Sequence, residues 1–134
     1  MRRSMRLIAV LLVVGAVGFG ATAAFGTTGS STAGSLSFSV TTADTATRGH
    51  AFNYSGSVTN DASVVTNYKL TFNISGPNVN RSASFYLSLK GNATFSKSGS
   101  YFVPTQAPAG TYTVTMTVAT GGSSSSAQAQ TTVS

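Results

Sequence analysis

From Leu36 onward the chain alternates between apolar and small polar residues with a period of two. Leu36, Phe38 and Val40 are interleaved with Ser37 and Ser39, and Phe52, Tyr54, Gly56 and Val58 with Asn53, Ser55 and Ser57. Leu70, Phe72 and Ile74 repeat the pattern, followed by Phe85, Leu87 and Leu89 and then by a broken stretch from Ala93 to Val103. Tyr112, Val114, Met116 and Val118 alternate with four threonines, and Ala127, Ala129, Thr131 and Val133 form a weaker final run. Successive side chains of a strand point to opposite faces, so each run predicts a strand with one wet and one greasy face. Gly, Pro, Asn and Ser separate the runs, as turns require. No helical period competes after residue 35. The expected fold is all-β: an antiparallel β-sandwich of about seven strands with two sheets packed on their apolar faces. Its core is expected from Phe38, Phe52, Leu70, Phe72, Phe85, Leu87, Tyr112, Val114 and Val118.

The first 25 residues follow a different rule. Arg2, Arg3 and Arg6 precede an uncharged stretch from Leu7 to Phe25, and Ala21-Thr-Ala23 offers a small-x-small cleavage signal. Two fates fit residues 1–25. Cleavage after Ala23 or Ala24 would release a chain of about 110 residues. Retention would leave residues 7–25 as a membrane anchor, since ~19 residues of helix span ~28 Å, close to the hydrocarbon core. Either way the arginines stay cytoplasmic and the remainder goes outside, so the expected location is extracellular or at the cell surface. Residues 26–35, Gly-Thr-Thr-Gly-Ser-Ser-Thr-Ala-Gly-Ser, have the composition of a flexible linker. Residues 36–134 form the expected domain.

Charge changes the picture little. The net +6 includes three leader arginines; beyond residue 25 the bases are Arg48, Lys69, Arg81, Lys90 and Lys97, against Asp44 and Asp61. These bases are scattered rather than gathered into a stripe, so no nucleic-acid partner is expected. There is no cysteine, which excludes thiol chemistry, cysteine-zinc sites and the disulfides that small exported folds often use. No metal or other cofactor is expected. His50 is the only histidine, and Asp44, His50 and Asp61 flank opposite ends of one expected strand, too far apart for acid–base catalysis. The sequence therefore predicts no enzyme.

One local motif speaks to the fold. Pro104-Thr-Gln-Ala-Pro108-Ala-Gly110-Thr-Tyr112-Thr-Val114 is a proline-rich approach, a glycine turn and then Tyr-x-apolar. It resembles the entry into strand F of immunoglobulin-like domains, where a tyrosine hydroxyl bonds back to the upstream turn. Val114 stands where antibody domains carry a cysteine, and no tryptophan is present. The resemblance, over roughly residues 36–133, is to the cysteine-free immunoglobulin-like modules of bacterial and archaeal surface proteins. It implies a spacer, adhesive unit or filament subunit, with Tyr112 as a structural tyrosine corner. The layout also resembles archaeal pilins, with a basic leader, an apolar segment and a Thr-rich head. It departs from them because Arg6-Leu7 lacks the glycine of their processing site.

Four sequons provide the candidate modification sites: Asn53-Tyr-Ser55, Asn73-Ile-Ser75, Asn80-Arg-Ser82 and Asn92-Ala-Thr94. Asn53 and Asn73 are expected on wet strand faces, and Asn80 and Asn92 in loops. Tyr68, Tyr86 and Tyr101 are candidates for an exposed aromatic strip that could stack on carbohydrate. The function expected is a non-catalytic exported surface protein with a structural or adhesive role. Its alternatives are a filament subunit exchanging strands through residues near 26–35 or 127–133, and a carbohydrate-binding module. The partners implied are surface or filament proteins, including further copies of the chain, and carbohydrate.

Overall fold

The alternation becomes a burial pattern along each strand. In β8 (Gly110–Thr120), Tyr112, Val114, Met116 and Val118 are buried while the threonines between them reach solvent. The structure, a computed structural model, describes residues 28–134. The leader, Ala23 and Ala24 and the membrane segment expected at residues 7–25 lie outside them. The described residues form nine strands. These are β1 (Thr28–Ala33), β2 (Leu36–Thr42), β3 (Thr45–Ala46), β4 (Ala51–Asn60), β5 (Thr66–Gly76), β6 (Val79–Leu89), β7 (Thr94–Phe102), β8 and β9 (Ser123–Val133). One sheet runs β1-β2-β4-β7 and the other β3-β9-β8-β5-β6. Every pairing is antiparallel except the short parallel contact of Thr45 with Thr132 and Ala46 with Val133. The fold is an all-β sandwich whose apolar faces meet in one core.

Three expectations need correction. Residues 28–33 are not linker: they form β1, paired with β2 from Thr28↔Thr41 to Ala33↔Leu36. The reason its composition looks like linker is steric. At Gly29 a Cβ would sit 2.0 Å from the Gln128 carbonyl oxygen, so β1 runs against the β9 backbone and only glycine fits at that position. Second, Phe85 and Leu87 are only half-buried, because β6 is the outermost strand of its sheet. Third, Tyr68 is not exposed. It shares the parity of Leu70, Phe72 and Ile74 and is buried with them.

One buried polar residue organises a whole pole of the sandwich. Asn60, at the end of β4, is fully buried. Its Oδ1 accepts from the Ser35 hydroxyl (3.1 Å) and the Ala62 amide (3.0 Å). Its Nδ2 donates to the carbonyls of Val64 (2.8 Å) and Leu89 (3.0 Å). Its backbone N–H donates to Ala93 and its carbonyl accepts from Asn92. The β1–β2 turn, the β4–β5 loop and the β6–β7 turn are thus tied to one side chain, and its polar groups escape the penalty of unmade hydrogen bonds.

Asn60→Ala should cost roughly 3 kcal/mol in denaturant unfolding, since orphaned buried partners cost ~1–3 kcal/mol. Val114→Asp should cost on the order of 3–5 kcal/mol, as an unpaired buried charge does, whereas Thr113→Asp should be nearly neutral. Equal tolerance at the two positions would contradict the facing of β8.

Candidate functional surfaces

The approach to β8 ends in a hydrogen bond. The Tyr112 hydroxyl donates to the Pro108 carbonyl at 2.9 Å, while its ring lies over Gly76, where a Cβ would come within 2.8 Å of it. Tyr101 stacks at an angle between Tyr112 (6.5 Å between centroids) and Phe52 (5.8 Å). Burial pushes the Tyr112 phenol above its ordinary value of 10.0; the neighbouring Tyr101 adds to this and Arg48 opposes it. Burial also raises Tyr68, whose hydroxyl has no hydrogen-bond partner among the described residues.

The histidine and the two aspartates are dispersed. Asp44 is exposed in the β2–β3 turn, and His50 is exposed just before β4, its Nδ1 3.4 Å from the Arg48 carbonyl. Asp61 follows β4 at the opposite pole and accepts from the Ser37 hydroxyl. The ten residues of β4 hold His50 and Asp61 roughly 30 Å apart. No group of three or more His, Cys, Asp or Glu side chains gathers among the described residues.

The sequons fall in contrasting settings. Asn53 is exposed on β4, and Asn92 is exposed in the β6–β7 turn with φ of 62°. Asn80 lies within β6 and not in a loop. Asn73 and Asn80 sit on neighbouring strands in reciprocal register, Asn73↔Ser82 and Ser75↔Asn80. The Asn73 amide is spent on its neighbours, donating to Asn80 Oδ1 (2.7 Å) and Ser82 Oγ (2.8 Å). This hydrogen bonding extends across the outer face of the five-stranded sheet: Thr71 bonds Ser84 (3.0 Å) and Thr117 bonds Ser126 (2.8 Å).

The aromatic strip does not form. Tyr68 is buried and Tyr101 half-buried, leaving Tyr86 alone at 80% exposure. The segments proposed for strand exchange are both paired at home, β1 with β2 and β9 between β3 and β8.

Sequence reasoning passed over the open side of the sandwich, where β6 and β7 end their sheets. Lys97 of β7 places Nζ 5.0 Å from the Phe85 ring of β6, and Lys69 places Nζ 5.6 Å from the Tyr86 ring. Parity held the signal. Lys97 lies opposite the buried Gly56 and Arg81 opposite the buried Ile74, so both cations stand on the inner faces of edge strands. By sequence, the chain matches no protein-family model and no curated protein.

Tyr112→Phe should lose about 1 kcal/mol, the net worth of a typical hydrogen bond. Tyr68→Phe should be neutral or stabilising, because it removes an unpartnered buried hydroxyl. Both phenols are raised in the folded state, so their contribution is intact below pH 10.0 and is lost as the pH climbs through the folded values. A thermal-midpoint scan above pH 10 should fall for the wild type, and more gently for Tyr68→Phe.

Proposed function

We propose that the chain is an exported, non-catalytic surface module of immunoglobulin-like type with a structural or adhesive role. The observation that carries the fold assignment is the strand order combined with the Tyr112–Pro108 hydrogen bond. β2-β4-β7 match strands A-B-E and β9-β8-β5-β6 match G-F-C-C′ of such domains, with the tyrosine at the entry to F.

The role follows from what covers the sandwich. Its outer faces carry hydroxyls and amides bonded to one another, a surface suited to hydration and to weak, repeated contact. The basic leader and apolar segment support export. Asn53 and Asn92, exposed and free of side-chain hydrogen bonds among the described residues, are better placed to carry glycans than Asn73, whose amide is engaged.

Cell fractionation tests the location. Leu11→Arg with Leu12→Arg should trap the chain in the cytoplasm, since each charge costs ~2.5–3.5 kcal/mol at the centre of an inserting helix; unchanged export of this double variant would refute the proposal. N-terminal sequencing separates the routes: a start at Ala24 or Phe25 marks cleavage and secretion, Leu7 a pilin-type route, and Met1 or Arg2 an anchor. Replacing Asp44 and Asp61 by asparagine and His50 by alanine should leave folding and surface function near wild type. A hydrolytic activity that vanished in this triple variant would make the chain an enzyme.

A further inference from the structure

We propose that the free edge of β6 is a docking strip for an extended acidic segment of a partner protein, which adds to the five-stranded sheet as a further strand. The proposal rests on the surface-module reading and names the partner chemistry of its adhesive role.

Backbone geometry supplies the first half of the argument. Gly76 faces Val79 across a two-residue turn, Pro77-Asn78, with Asn78 at φ of 62°. Such a turn is closed by a hydrogen-bonded pair, and in an antiparallel ladder bonded and non-bonded pairs alternate. Odd-numbered residues of β6 therefore bond to β5. Asn80, Ser82, Ser84, Tyr86 and Ser88 turn their peptide groups to the open edge, along a strand of eleven residues with no neighbour on that side among the described residues. An unpaired edge of this length is a template for strand addition.

Charge supplies the second half and selects the occupant. Of the five bases beyond the leader, Lys69 lies on β5, Arg81 on β6, Lys90 in the turn joining β6 to β7, and Lys97 on β7. Asp44 and Asp61 lie elsewhere, in the β2–β3 turn and after β4. Cations straddle the edge: Lys97 over Phe85 on the inner side and Lys69 over Tyr86 on the outer. Inward-pointing charges on edge strands oppose pairing with uncharged strands. They also oppose a second copy of this chain, because edge-to-edge pairing would bring two basic edges together. The same side chains attract a strand bearing carboxylates, so repulsion and attraction together set specificity. The added strand would also cover the half-buried Phe85 and Leu87.

The test uses the full chain and a synthetic peptide of alternating threonine and glutamate, about as long as β6, with a lysine-for-glutamate peptide as control. Titration calorimetry should show binding of the glutamate peptide only. Amide hydrogen exchange at Ser82, Ser84 and Tyr86 should slow on binding. Arg81→Glu with Lys97→Glu should weaken binding by roughly tenfold or more and transfer preference to the lysine peptide. Ser84→Pro, which removes an outward N–H from an edge strand and leaves the charges in place, should weaken it comparably. Equal binding of both peptides, binding without slowed exchange at those amides, or edge pairing of the chain with itself would each overturn the proposal. So would absence of binding. If the chain is exported normally but ignores the peptide, only the docking strip fails. If it binds the peptide but remains cytoplasmic, only the surface reading fails.

Discussion

Two sheets with no covalent tie must hold together by burying one face of each, and every other feature of this domain depends on that burial. A fully buried large apolar side chain contributes ~1.5–3 kcal/mol, and Leu36, Phe52, Leu70, Tyr112 and Met116 are all in this state. The fit between the sheets is close. Tyr54 packs at an angle on Phe72 across the core (5.5 Å between centroids), and Gly56 leaves the space that Met116 and Phe72 occupy. A one-residue slip in any strand would turn its apolar row to water, so burial also sets the register. In the absence of a disulfide, register and packing are a single constraint.

The two poles are fastened by polar groups of different kinds. At one, Asn60 binds three connections through a side chain wholly removed from solvent. At the other, Tyr112 joins the entry of β8 to the turn before it through one hydroxyl. Both work because a buried polar group with a complete set of partners is specific as well as stable. Tyr68 and Thr131 are the contrast: buried hydroxyls without partners among the described residues, tolerated because the rest of each side chain packs in the core.

The flanks of the sandwich differ, and the difference bears on function. On one flank β1 lies against β9 and closes the gap between the sheets, with Ser31 bonded to Ser125. On the other, β6 and β7 end their sheets, and Lys97 reaches across to Phe85. The docking strip proposed at β6 rests on this difference, since cations at an edge oppose pairing with like copies and attract carboxylates.

Period-two alternation was enough to place strands at β2, β4, β5 and β8, with Leu36, Phe52, Leu70 and Val114 facing inward, because facing in a strand depends only on residue parity. The absence of cysteine and the spacing of the acids were equally plain without coordinates. The sequence could not reveal β1, whose glycine and serines look like linker until β9 is seen to pass within contact distance. Nor could it show that Phe85 and Leu87 would be half-exposed, because parity sets which face a side chain occupies but not whether the opposing sheet extends over it. Asn60 shows the same limit from the polar side. Its partners, Ser35, Ala62, Val64 and Leu89, come from separate turns that only the folded chain brings to one point, where burial makes their hydrogen bonds obligatory.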